Sequence, residues 1–379
     1  MPPKNRILTS VALVATAALA AALPAQAQSQ HSRPAQRTAG MTTVTSDLMG
    51  PRGVDAVSKR KIFVTQADGT FSKVVRRLDA PAKVVDLGKV PDTGLAPAIA
   101  RGQHGTLWIL TGAGGEPGSP PVAGATTLYK WRPGWAAPKA FKDIGAYQSR
   151  HPDPYDLENN PGDSNPYGLA ALADGSVLVA DAAGNDLLRV KPNRRVQEVA
   201  MLKPRTVPVP AGLSSGPDGP PLPPAGTMMP SEAVATSVTV GSDGFWYVGE
   251  LRGVPATPGT SQIWRIKPYT TNNVCNPVHP RRGKCKRWTD GLTSIVDLGT
   301  GPRGIYAVEL SKKSWLQMEG GAPGSDIGAL IYVHRANGHQ VKTELAEDQL
   351  HMPGGVDAFG GAKFVTAPIF GPGNLFKIR

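Results

Sequence analysis

Residues 165–190 read NPYGLAALADGSVLVADAAGNDLLRV, and their pattern predicts three short strands. Residues 169–172 are apolar, and Ala173-Asp174-Gly175 turns the chain. Residues 177–180 are β-branched and apolar, and 182–185 turn the chain again into 187–190. Asp-Gly between two such runs is a strong short-range hairpin signal. The runs are too short for helices and consist of residues that suit a pleated, buried sheet.

The pattern returns five more times. A first unit has Pro51-Arg52-Gly53-Val54-Asp55, then 61–65 and a weaker run at 72–75. A second has 97–100, His104-Gly105, 107–110 and 127–131. Residues 165–190 are the third unit, and the fourth runs 235–240, Asp243-Gly244, 245–248 and 262–266. The fifth has 294–298, Arg303-Gly304, 305–308 and 329–333, and the sixth has Pro353-Gly354-Gly355-Val356-Asp357, 364–366 and 374–378. A further short run precedes the next unit at 84–87, 141–144, 196–200, 287–288 and 341–345.

Four strands repeated around a ring is the β-propeller plan, in which radial repetition leaves few exposed sheet edges. The expected fold is therefore all-β: a six-bladed β-propeller with four-stranded blades over residues 41–379. Its blades average about 56 residues, above the roughly 40–50 of compact blades. The surplus lies in Gly/Pro-rich insertions at 112–126, 203–230 and 311–328. The sixth unit stops at Ile378-Arg379 without a fourth strand, and 41–45 is an unassigned β-prone run. That N-terminal run is expected to complete the last blade. A split into two domains at 203–230 would instead leave two open stacks with unpaired edges, which natural proteins avoid.

The N-terminus is expected to be a cleavable signal peptide, residues 1–27. Lys4 and Arg6 form a basic start, 7–23 is an Ala/Val/Leu stretch, and Pro24-Ala25-Gln26-Ala27 offers a small-x-small cleavage pattern. The apolar run falls short of the about 20 residues a membrane span needs and is Ala-rich. Residues 28–40 are polar and patternless and read as a mobile tail of the mature, secreted protein. In an oxidising compartment the only two cysteines, Cys275 and Cys285, are expected to form a disulfide closing a small loop. His279 lies between them, but zinc needs more ligands than this loop offers.

The formal net charge is +12. The densest basic clusters are Lys59-Arg60-Lys61, Arg76-Arg77 and 281–287, without interleaved aromatics. That pattern argues against nucleic-acid binding and leaves solvated loops, or nonspecific attraction to an anionic cell wall. No later segment could span a membrane.

In a propeller, the segment entering each innermost strand and the segment leaving the next strand return to one face. The entering positions are Asn165, Tyr167, Thr236, Ser237 and Asp297; the leaving ones are Gln66, Thr111, Asp181, Glu250 and Glu309. Asp181, Glu250, Asp297 and Glu309 are thus a candidate oxygen-rich site for calcium or another hard cation, and Asn165, Tyr167, Thr236 and Ser237 are candidate ligand contacts. The competing expectation is that each carboxylate caps turns in its own blade through backbone amides.

Other stretches carry weaker signals. Residues 151–163 hold Asp153, Asp156, Glu158 and Asp163 without EF-hand spacing and read as a solvated insertion. Gly112 to Gly118 has the wrong spacing for a dinucleotide fingerprint, and a proline interrupts it. G-x-S-x-G and H-E-x-x-H are absent. Trp315 could line a cleft, though an aromatic covering the blade beneath it is the commoner arrangement.

The blocks SNPYGLAALADGSVLVADAAGNDLLRV, ATSVTVGSDGFWYVGELRGVPATPGTSQIWRI and TSIVDLGTGPRGIYAVEL, with the linking GTMMPSEAVATS, resemble the signature blocks of the ScyD/ScyE family of secreted bacterial proteins. The resemblance covers most of 41–379 and implies an exported six-bladed propeller with NHL-like repeats. It implies no reaction or ligand set. This chain departs from the pattern at Arg303-Gly304, where the turn is shortened, and in the Cys275–Cys285 insertion. The expected function is a secreted, monomeric binding scaffold for a small molecule, an extracellular protein or a cell-wall polymer. The alternative is a calcium-dependent hydrolase or lactonase of the gluconolactonase-like propeller type, in which a channel-mouth cation polarises a carbonyl.

Overall fold

The computed structural model describes residues 40–77, 79–115, 122–213 and 221–379. The expected signal peptide, most of the expected tail, and parts of the 112–126 and 203–230 insertions lie outside the described residues.

Six four-stranded antiparallel sheets succeed one another along the chain. From the channel outward, the first blade is Val54–Ala56, Lys61–Thr65, Thr70–Val75 and Lys83–Lys89. The second is Ala98–Arg101, Leu107–Leu110, Thr127–Trp131 and Lys139–Asp143. The third is Pro166–Ala171, Val177–Asp181, Asp186–Val190 and Val196–Leu202. The fourth is Ala235–Val240, Trp246–Glu250, Ser261–Ile266 and Cys285–Leu292. The fifth is Ile295–Thr300, Gly304–Glu309, Ala329–Ala336 and His339–Leu345. The sixth is Gly355–Phe359, Ala362–Ala367 and Pro372–Ile378, with Met41–Met49 outermost.

The innermost strands contact one another in sequence, and the first also touches the sixth. Closure occurs where expected: Met41 pairs with Ile378, Thr43 with Phe376 and Thr45 with Leu375. The fifth blade keeps four strands despite its shortened turn, which is closed by Gly301 N–H donating to the Gly304 carbonyl at 2.9 Å.

The strand composition follows from burial on both faces. Successive side chains of a strand point to opposite sides, and in a ring each side meets a neighbouring blade. Val177 and Val179 pack with Trp108 and Leu110 of the second blade, while Leu178 and Ala180 pack with Trp246 and Val248 of the fourth. Ile305 and Ala307 face the fourth blade in the same way, and Tyr306 and Val308 face the sixth. Second strands are therefore continuously apolar rather than alternating. The turns use glycine where left-handed backbone is required, as at Gly175 and Gly244 with φ of 80° and 78°. The inner strand of the third blade abuts the fourth so closely that a Cβ on Gly168 would lie 2.6 Å from Ser237 Cα.

Two additions depart from the repeat. Arg205–Pro208 and Met228–Ser231 form a separate hairpin. Asn273–Cys275 adds a fifth strand to the third blade, parallel to Val196–Leu202. Cys275 and Cys285 form the expected disulfide, with Cα atoms 5.1 Å apart. It joins that added strand to the outer strand of the fourth blade, so it bolts two blades together. Both cysteines are buried in the apolar seam between them. Among the described residues no helix is long and apolar enough to cross a membrane.

Candidate functional site

The four carboxylates singled out by topology are held separately. Asp181 is fully buried and accepts from Ser164 Oγ (2.6 Å), Asn165 N (2.7 Å), Gly184 N (3.2 Å) and Gln148 Nε2 (3.4 Å). Glu250 is buried in an ion pair with Arg252, accepts from Trp264 Nε1, and accepts from Gln262 Nε2 at 3.1 Å. Glu309 accepts from Thr293 N at 2.8 Å, and burial pushes its pKa up to about 7. Asp297 accepts from Val356 N of the next blade at 2.8 Å. Among the described residues no three His, Cys, Asp or Glu side chains gather where one cation could bind them.

The candidate ligand contacts divide similarly. Asn165 Oδ1 accepts from Ala113 N (3.0 Å), and Thr236 Oγ1 donates to the Ile295 carbonyl (2.6 Å). Ser237 is buried and its Oγ has no partner. Of these residues, Tyr167 and Asp297 reach the channel. The 151–163 insertion is mostly exposed, as expected, and is also anchored at a few points. Asp153 is buried and accepts from Asn185 Nδ2 (3.0 Å) and Tyr155 N (2.7 Å), while Glu232 accepts from Leu157 N (2.7 Å).

The end of the channel where the innermost strands begin is roofed. Trp315 is buried and donates Nε1 to the Arg252 carbonyl at 2.8 Å, as expected of a covering aromatic. With Leu316, Leu251, Ile369 and partly buried Leu95 and Phe370 it forms one apolar cluster with Tyr167 and Val356 of the inner strands. Below this roof, Arg52 crosses the channel. Its Nη1 donates to the Ala96 carbonyl (3.0 Å), its Nη2 donates to the Tyr167 carbonyl, and its guanidinium lies 3.6 Å from the Tyr167 ring centroid.

A cavity of about 400 Å³ lies against this plug, walled by the innermost strands of all six blades. Its lining at the strand beginnings, including Arg52, Gly53, Tyr167, Gly168 and Gly354, is buried. Arg101, Ala171, Thr239, Val240 and Asp357, toward the strand ends, are partly or fully exposed. The cavity therefore opens at the face opposite the roof.

Three carboxylates line it, and each satisfies an edge amide of the following blade. Asp297 takes Val356 N, Asp357 takes Ala56 N (2.6 Å), and Asp55 takes Arg101 N (2.7 Å). These are the inner-edge donors that a ring of separate sheets leaves unpaired. An ionised carboxylate has about four acceptor positions, so these bonds leave capacity toward the cavity. Burial raises the pKa of Asp357 to about 7, with the nearby Asp55 charge adding to it. Burial also lifts Asp297 to about 6, against the Val356 amide and the Arg52 charge. Asp55 is raised by burial and partly restored by Arg101, whose Nε lies 3.7 Å from its Oδ1. At the plug, Tyr167 Oη is buried beside the Arg52 guanidinium and makes no hydrogen bond of normal geometry among the described residues.

Arg52, Asp55, Arg101 and Asp357 were not among the expected site residues. For Asp55 and Asp357, and for Arg52 just before the first copy, the signal is the tetrapeptide Gly-Val-Asp-Ala, which occurs at 53–56 and again at 355–358; Arg101 carries no such signal.

No protein-family model matches the sequence, and no curated protein matches it. Solved structures do. The PQQ-bound aldose sugar dehydrogenase of Streptomyces coelicolor is similar with a TM-score of 0.51 and 10% identity, over 90% of this chain and 99% of that one. A Bacteroides thetaiotaomicron protein of unknown function gives 0.51 and 11%, over 89% and 76%. A streptogramin B lyase gives 0.46 and 14%, over 89% and 96%. At these identities the likeness is one of fold.

Proposed function

We propose that the protein is an exported, ScyD/ScyE-like binding scaffold that holds a small polar ligand in the open end of its central channel. The observation that carries this reading is the channel cavity of about 400 Å³, lined by three carboxylates and by Tyr167, whose buried hydroxyl makes no hydrogen bond of normal geometry among the described residues. Buried polar groups are otherwise almost always paired. The cavity falls within the size range of small-molecule sites. Its three carboxylates, facing Arg52 and Arg101, offer both acceptors and donors and suit a ligand rich in hydroxyl and amino groups. The rival calcium-dependent lactonase would need converging carboxylates. Among the described residues no three such side chains gather around one point: Asp181, Glu250 and Glu309 are bound to groups beside their own blades, and Asp297, Asp357 and Asp55 each take an amide of the next one.

The test is calorimetric titration of the purified protein with hydroxylated amines and with uncharged polyols. At least one amine should bind, and Tyr167→Phe should weaken it about tenfold, the worth of one hydrogen bond. If no compound of either class binds, or if Tyr167→Phe binds as wild type does, the channel reading is wrong.

A further inference from the structure

The disulfide-closed loop 276–284 stands apart from the channel, on the outer wall at the seam of the third and fourth blades. We propose that it is a docking site for a linear polyanion.

The loop is built as a rigid platform. Its ends are fixed by the Cys275–Cys285 bond. Inside it, His279 N donates to the Asn276 carbonyl (3.1 Å), Arg282 N to the His279 carbonyl (3.1 Å), and Val278 N to Asn276 Oδ1 (2.9 Å). Its base is held by Lys267 N donating to the Lys284 carbonyl (2.9 Å) and Arg287 N to the Pro280 carbonyl (2.7 Å).

On this platform Lys267, Arg281, Arg282, Lys284 and Lys286 are all exposed. Among the described residues none has a carboxylate within ion-pair distance. Neighbouring cations do: Arg287 and Arg205 both reach Asp290, at 3.0 and 2.8 Å, and Arg265 reaches Asp243 at 2.9 Å. Arg281, Arg282 and Lys284 lie inside the clip, and strand pairing brings Lys267 and Lys286 to its base; like charges so gathered repel one another, and a line of anionic groups relieves that repulsion. Because the loop is already ordered, docking costs little conformational entropy.

The surface shape selects a polymer over a small anion. Val278 at the tip is 77% exposed and Val274 is 42% exposed, so the cations sit on a convex face. A small anion needs a concave site to be desolvated, whereas an extended chain can lie across a convex one and release its counterions as it binds.

The test compares two triple variants that each remove three positive charges. Arg281→Ser/Arg282→Ser/Lys284→Ser strips the loop. Lys59→Ser/Arg60→Ser/Arg77→Ser strips exposed cations of the first blade. Binding of long-chain polyphosphate and of polyglutamate is measured by fluorescence anisotropy over a range of salt. The loop variant should bind at least about tenfold more weakly, with a shallower salt dependence, and the first-blade variant should change less than about twofold. Preference for polyphosphate would assign the natural partner to phosphate-bearing polymers, and equal binding of polyglutamate to polyanions generally. Equal weakening in the two variants would reduce the effect to net charge and overturn the proposal. Failure of the wild-type protein to bind either polymer would also overturn it.

Discussion

Replacing Tyr167 by Phe asks whether the channel wall is built for a ligand or merely for itself. The ring is 3% exposed beneath Arg52, and its Oη makes no hydrogen bond of normal geometry among the described residues, with the Arg52 guanidinium the cation beside it. A buried hydroxyl without a partner costs about 1–3 kcal/mol, and a water in a polar cavity reduces that cost toward zero. Phe keeps the ring, its packing and its contact with the guanidinium. The variant should therefore be equal to wild type or up to about 3 kcal/mol more stable. Tyr247→Phe provides the contrast. Tyr247 Oη donates to Asp243 Oδ2 at 2.9 Å and accepts from Arg265 Nε at 3.1 Å. Its loss should cost about 1 kcal/mol. Urea unfolding of both variants at pH 7, with unchanged denaturant slopes, gives the comparison directly. With a ligand bound, wild type gains up to about 1.4 kcal/mol more than the variant does, the equivalent of the tenfold difference in affinity. A loss above about 1 kcal/mol for Tyr167→Phe without ligand would mean that the hydroxyl already has a partner inside the protein. The channel wall would then be built for the fold alone and not for a ligand.

Glu309 is raised from 4.5 to about 7, chiefly by burial. Between those values the folded chain keeps a proton that the unfolded chain has lost, so this contribution to stability is complete below about pH 4.5 and disappears as pH rises through about 7. Glu309→Gln should remove that dependence, gaining on wild type between pH 5 and pH 8 in urea melts; parallel pH profiles would contradict the assignment. Cys275→Ala/Cys285→Ala opens a loop of sequence separation 10, which chain entropy values at about 2–3 kcal/mol, read as a lower urea midpoint; an unchanged midpoint would mean the seam holds without its bolt. Removal of residues 1–49 strips the outer strand of the sixth blade and exposes a sheet edge. That variant should aggregate or lose cooperative unfolding, as size-exclusion chromatography and melting would show; a monomeric, cooperatively folding product would refute the role of ring closure.

The ring was legible because blade strands bury both faces. VLVA at 177–180 and IYAV at 305–308 cannot belong to a half-exposed sheet, and six such runs following hairpin turns leave little but radial repetition. Closure was legible from arithmetic: one unit short of a strand, and one strand without a unit. The site was legible in angle but not in radius. Asp181, Glu250 and Glu309 do end second strands on one face, as topology requires, yet each sits one strand outward from the channel wall, a spacing of about 4.8 Å. At that radius a carboxylate meets the amides and side chains of its own blade before any shared cavity. The roof over that face was equally invisible. It forms from Leu95, Leu251, Trp315 and Ile369, which lie in four separate insertions or turns, and no local pattern links them. What could have been followed is the repeated Gly-Val-Asp-Ala. An acid on an innermost strand has one obligatory duty in a ring of unjoined sheets, which is to pair the bare edge of the next sheet. Asp297, Asp357 and Asp55 perform it in succession across three consecutive seams. Three of the seams that close the ring thus bring carboxylates into the channel, where Arg52 and Arg101 face them.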